Sequence, residues 1–144
     1  MKPRRKKFEK ELIVGSSTDN LSIIRDFIKS AAEESGFPPE TVGKIILAVD
    51  EACTNVIKHA YKYSPDGDIL INIKLDKSKF IISIIDEGTR FNPNIIPEPD
   101  IAEYHKQKRI GGLGMFLMKK LMDEVRYENL KDNRNEVILV KYLS

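Results

Sequence analysis

The sequence predicts an α+β fold: a two-layer sandwich with helices packed on one face of a mixed, mainly antiparallel sheet. Three observations point there. Segments of alternating and of helical hydrophobic period follow one another in the order β, α, α, β, β, long loop, α, β, β. Strand-like segments come in two pairs joined by short polar turns, which marks hairpins. The strict βαβ alternation of a dinucleotide-binding fold is missing. Clustered hairpins with helices gathered on one face make an α+β sandwich.

Each element has its own signal. "KFEKELIVGS", residues 7 to 16, alternates and then turns apolar, which predicts a first strand. "STDNLSIIRDFIKSAAEESG" predicts a helix. Thr18 or Asp19 can cap it, Leu21, Ile24, Phe27, Ile28 and Ala31 recur at helical spacing, and Gly36 stops it. "PPETVGKIILAVDEACTNVIKHAYKYS" predicts a second helix, opened by prolines in its first turn and closed before Ser64-Pro65. "SPDGD" is a turn and "DILINIKLD" a strand. Lys77-Ser78 makes a hairpin to "KFIISIIDE". Residues 87 to 112 hold three prolines and three glycines without a clear period. A segment that long without regular structure is often a functional lid. "GLGMFLMKKLMDE" predicts the third long helix. "VRYENL", the polar turn "KDNRN" and "EVILVKYLS" predict a closing hairpin.

Composition narrows the class. The 144 residues suit one domain with a core of its own. With 41% hydrophobic and 32% charged residues the chain reads as globular. A net charge of +2 gives no argument for nucleic acid, and the basic start "MKPRRKKFEK" reads as a frayed tail over residues 1 to 7. The longest apolar run, "FIISII", is strand-sized, and no apolar signal core follows the basic start. We therefore expect a cytoplasmic protein with no membrane partner. Cys53 is the single cysteine, so no internal disulfide is possible; a small buried packing residue is expected there.

Three constellations could carry chemistry. On the second helix Ile45, Val49, Ala52, Val56 and Ala60, flanked by Ile46, Cys53 and Ile57, form a broad apolar face. Leu47, Glu51, Asn55 and Lys58 share a neighbouring stripe. Asn offers a neutral oxygen to a hard cation such as Mg²⁺, and Glu can take a proton from an attacking hydroxyl. The other reading is a plain solvated face. In "IISIIDEGTRFNP" an apolar strand runs into Asp86 and then Gly88. A strand-end carboxylate can accept from an exocyclic amine, as on adenine, while glycine allows close backbone approach. The other reading is an ordinary turn. In "KRIGGLGMFLMKKL" three glycines within four residues precede a helix, with Lys108 and Arg109 just upstream. Free N–H groups at the helix start suit a phosphate. The other reading is a hinge. No Lys-Ser or Lys-Thr follows the last glycine and no strand precedes, so neither the P-loop nor the GxGxxG fingerprint fits.

Together these stretches resemble the GHKL (Bergerat-fold) ATP-binding domains, and among them the small bacterial anti-sigma-factor serine/threonine kinases. "DEACTNVIKHAY" is similar to their N box, "DEGTRF" to the first glycine box, and "GGLGMFLMKKLMDEVRYE" to the second glycine box with its following strand. The resemblance runs from about residue 8 to 142 and implies one ATP-binding kinase domain over residues 1–144. It implies that Asn55 coordinates Mg²⁺, that Glu51 is the base accepting a substrate serine's proton, and that Asp86 binds the adenine amine with Gly88 beside it. Residues 92–111 would be the ATP lid. Gly112 and Gly114, with Leu113 and Met115, would meet the phosphates, and Arg109 would reach the γ-phosphate. His59 matches a His common at this place in the N box and is read as bracing the helix end. Two departures stand out. Arg90 takes the place of the second Gly of the first glycine box, and "RNEV" stands where the family often carries a Thr hydroxyl near the adenine, so that contact is lost or replaced.

The activity implied is Mg-ATP-dependent phosphorylation of a serine on a small (STAS-type) anti-sigma-factor antagonist. That step would free this protein to sequester an RNA polymerase sigma factor. A homodimer is implied too, and the apolar face of the first helix is compatible with one. The alternative is an ATP-gated partner-binding module that transfers no phosphate; retained Glu51 argues against it. The catalytic half of a histidine kinase would need a helical hairpin with a phosphoacceptor His, and His59 and His105 are badly placed for that.

Overall fold

The computed structural model describes residues 7–88 and 116–143. Its elements follow the expected order: β1 (Phe8–Gly15), α1 (Leu21–Glu34), α2 (Pro39–Asn55), β2 (Asp68–Asp76), β3 (Lys79–Asp86), a helix α3 over 116–121, β4 (Glu124–Asn129) and β5 (Asn135–Tyr142). The sheet order is β1-β2-β3-β5-β4. The sheet was expected to be mixed and mainly antiparallel. Among the described residues every pairing is antiparallel. The cause is β5. The chain leaves β3, passes through α3 and returns as β4 running in the same direction as β3. β5 then folds back as the hairpin partner of β4 and inserts between the two.

One face of the sheet is packed with helices. Ile69, Ile71, Ile73 and Leu75 of β2, Phe80, Ile82 and Ile84 of β3, and Val137 and Leu139 of β5 are buried at alternate positions. They meet Ile24, Ile28, Ala31 and Ala32 of α1, Val42, Ile45, Ala48, Val49, Ala52 and Cys53 of α2, and Met118 and Met122. Each fully buried isoleucine contributes about 1.5–3 kcal/mol. Ile24, Ile28 and Ala31 of the apolar face of α1 are buried in this core, while Ile23 on the same helix stays exposed. Cys53 is fully buried, and burial pushes its thiol up to about 12, with Asp50 adding to the effect. It is the inert packing residue expected.

Two helix ends differ from the sequence reading. Ser17, one residue before the expected Thr18 or Asp19, does the capping: its Oγ accepts from the Asp19 N–H at 3.1 Å and opens a 3₁₀ turn over Thr18–Asn20. Gly36 closes the next loop at φ 96°, as its position suggested. The second helix was expected to continue into Tyr61–Ser64. It is α-helical only to Asn55, and Val56–Ala60 form a π turn in which the Tyr61 N–H donates to the Val56 carbonyl at 3.0 Å. Lys62 and Tyr63 then take left-handed φ of 49° and 64° and reverse the chain. Such π turns often occur at functional sites.

Candidate nucleotide and catalytic site

The π turn ends against the strand end that carries Asp86. A Cβ on Gly88 would stand 2.5 Å from the Ala60 carbonyl oxygen, so only glycine fits where these two backbones meet. Close approach was the property read from Gly88 in sequence. Its partner proves to be the helix end of this chain.

Asp86, at the end of β3, is buried. Its Oδ1 accepts from the Gly88 N–H at 2.9 Å and from the Asn135 side-chain amide at 3.0 Å. Among the described residues no bond falls on Oδ2. Asn135 also donates to the Gly88 carbonyl at 3.3 Å. The place where "RNEV" departs from the family pattern is therefore filled by a carboxamide clamped onto Asp86. Sequence reasoning missed Asn135 as a site residue. The signal was the strand register, which sets Asp86 opposite Asn135, and that pairing is not visible locally.

Tyr61 was missed as well. Its hydroxyl donates to the Asp68 carbonyl at 2.6 Å and accepts from the Glu87 N–H at 2.8 Å. Its ring lies flat against Gly67, where an added Cβ would fall 2.3 Å from Cε1. Burial raises the phenol, the Glu87 amide works against that, and Asp86, Glu87 and Asp68 add to it. One side chain thus ties the end of α2 to the start of β2 and to the backbone between Asp86 and Gly88. Tyr61→Phe removes both bonds. We expect a loss of about 1–3 kcal/mol in urea unfolding, together with weaker nucleotide binding. An unchanged midpoint would show that the tether is idle.

Glu51 and Asn55 lie on the stripe of α2 that turns away from the core, between exposed Leu47 and Lys58, as the spacing predicted. Helical rise sets them in sequence along one axis. Asn55 precedes Ala60, the residue that meets Gly88, by five residues and Glu51 precedes it by nine. Starting from the strand end of β3, the order is Asp86, Asn55, Glu51. His59 sits on the exposed side of the π turn. Its ring makes no hydrogen bond among the described residues. Burial, then Lys58, lowers its pKa.

Arg109, Gly112, Leu113, Gly114 and Met115 lie outside the described residues, as do Arg90 and the lid over 92–111. The helix that the glycines were expected to open is present over 116–121 and anchored by buried Met118 and Met122. Among the described residues no group of three or more His, Cys, Asp or Glu could hold a metal. The chain offers there no all-protein cage, and the single carboxamide oxygen of Asn55 suits a Mg²⁺ that takes its other ligands from phosphates and water.

Comparison with known proteins agrees with this fold. Residues 14–141 match the histidine kinase-like ATPase domain family. A serine-protein kinase RsbW of Listeria monocytogenes is 34% identical over 128 residues, 86% of this chain and 80% of that one. The RsbW of Bacillus subtilis is 31% identical over 139 residues, 93% and 85% respectively. A crystal structure of the RsbU and RsbW domains of a Mycobacterium tuberculosis protein superposes with a TM-score of 0.66. At 16% identity, over 93% of this chain and 32% of that one, it speaks for the fold alone. On matches that span most of its length, the chain belongs to the histidine kinase-like ATPase domain family and, within it, to the serine-protein kinases named RsbW.

Proposed function

We propose that this serine-protein kinase uses Mg-ATP to phosphorylate a small (STAS-type) anti-sigma-factor antagonist, and that it sequesters an RNA polymerase sigma factor when the antagonist is phosphorylated. The observation that carries the reading is the order along α2. Asp86 and Gly88 mark the adenine end, Asn55 comes next and Glu51 farthest, which is the order of base, phosphates and nucleophile in a bound nucleotide. Mg²⁺, held by Asn55, would neutralise phosphate charge. Glu51 accepts the proton of the substrate serine as its oxygen attacks the γ-phosphorus and the bond to the β-phosphate oxygen breaks, releasing ADP. Arg109, Gly112, Leu113, Gly114 and Met115 complete the phosphate contacts, and residues 92–111 close over them.

The protein acts as a homodimer in this reading. The support is the sheet face away from the helices, where Ile13, Leu70 and Ile85 form one cross-strand row and Ile13 is exposed. No helix among the described residues is long and apolar enough to cross a membrane. With the small net charge, this supports a cytoplasmic protein without membrane or nucleic-acid partners.

The test is transfer from γ-labelled Mg-ATP into a lysate of the parent organism. A small acceptor carrying acid-stable label supports the reading and identifies the antagonist by mass. Tight ATP binding with no labelled acceptor would replace it with an ATP-gated sequestering module.

A further inference from the structure

We infer that the π turn at the end of α2 is one of two registers open to this helix end, and that bound nucleotide draws the chain into it. The inference rests on the nucleotide reading above and adds a conformational step to it.

Nothing local asks for a π turn. No glycine or proline stands between Asn55 and Tyr63, so the sequence permits α-helix throughout. Instead the Tyr61 N–H donates to the Val56 carbonyl at 3.0 Å, and the Tyr63 N–H to the Ile57 carbonyl at 2.9 Å. Lys62 and Tyr63 then hold consecutive left-handed conformations, at φ 49° and 64°, which residues with a Cβ resist. Both side chains are exposed, so neither offsets that strain by packing in the core. Strain of this kind persists only where the surroundings impose it.

Two seats impose it here. Ala60 lies on Gly88. Tyr61 lies on Gly67, and its hydroxyl bridges the Asp68 carbonyl and the Glu87 N–H. A π turn holds more residues than an α turn, so reverting to α rotates Ala60 and Tyr61 together by about 100° around the helix axis. Because the two residues are adjacent, both seats are lost in one step. The helix end therefore has two discrete arrangements, strained and seated or relaxed and unseated.

The Gly88 seat adjoins the strand end that carries Asp86, and Asn55 is the last α-helical residue before the turn. A ligand that touches both needs a fixed spacing between them, and the seated register fixes it. A ligand shifts such an equilibrium by its difference in affinity for the two states. Relieving the strain at Lys62 and Tyr63, without touching either seat, should then tighten binding.

The test combines amide hydrogen exchange of the full chain with calorimetric titration of Mg-ATP. In wild type, Mg-ATP should slow exchange at the Tyr61 and Tyr63 amides by about tenfold or more, since each change of register breaks both bonds. The double variant Lys62→Gly/Tyr63→Gly should bind ATP about three- to tenfold more tightly than wild type. Tyr63→Val, whose branched side chain opposes a left-handed φ, should bind it more weakly by a similar factor. Each variant is checked by thermal melting. Exchange at Tyr61 and Tyr63 that ATP leaves unchanged would overturn the inference without any variant having to fold. So would folded variants that change only in melting temperature and keep wild-type affinity, and both results leave the ATP reading intact. Failure of folded wild type to bind any nucleotide would overturn that reading and this one with it.

Discussion

Glu51→Gln should lower phosphotransfer to the acceptor serine by about 10²–10⁴-fold while leaving ATP affinity within about twofold. The substitution keeps size and hydrogen-bonding capacity but removes the site that takes the proton. Glu51 lies on the accessible stripe of α2, and no other side chain among the described residues bonds to it, so the fold should not notice the change. Single-turnover transfer from labelled ATP gives the rate, and equilibrium titration gives the affinity. A loss confined to rate identifies a group that acts in the transition state. A parallel loss of affinity would instead make Glu51 a nucleotide contact. Unchanged rates would remove it from the mechanism.

Gly88→Ala should act in the opposite way, on affinity and stability before rate. The new methyl carbon would fall 2.5 Å from the Ala60 carbonyl oxygen and 2.6 Å from its carbonyl carbon. Backbone on both sides has to part. Overpacking of this kind costs about 1–3 kcal/mol. The parting also loosens the Gly88–Asp86 and Asn135–Gly88 bonds, so ATP affinity should drop by about tenfold or more. Gly36→Ala is the control. Its φ of 96° strains an alanine, but nothing lies within 4 Å of the added carbon. It should lower stability by about 1 kcal/mol and leave nucleotide affinity alone. If both variants lose only stability, the Ala60–Gly88 contact is a packing detail and not part of the base site.

These effects show which parts of the molecule were legible in sequence. The alternating isoleucines of β2 and β3 were readable because one sheet face is buried and period two is local. The Glu51–Asn55 stripe was readable for the same reason, from the period of a helix. The π turn was not. "NVIKHAY" has helical spacing throughout, and what breaks it is the seat of Ala60 on Gly88 and of Tyr61 on Gly67, contacts distant in sequence. Asn135 escaped notice because a polar turn residue before a strand carries no mark of the carboxylate it will face. The strand order was not legible because local pattern does not say that β5 inserts inside β4.

That insertion also orders events in time. Asp86 and Asn135 are 49 positions apart, and β5 is the last of the described strands to be made. A ribosome adding about 5–20 residues per second needs roughly 2–10 s to bridge the gap. Through that interval β3 has β2 on one side and an open edge on the other, with Ile82 and Ile84 waiting for their partners. A ligand stabilises only the state that binds it. Cellular ATP therefore gives no help to the nascent chain and rewards only the finished one. A copy that loses its last strand to a protease or a premature stop forfeits the nucleotide site and reopens an aggregation-prone edge in the same event.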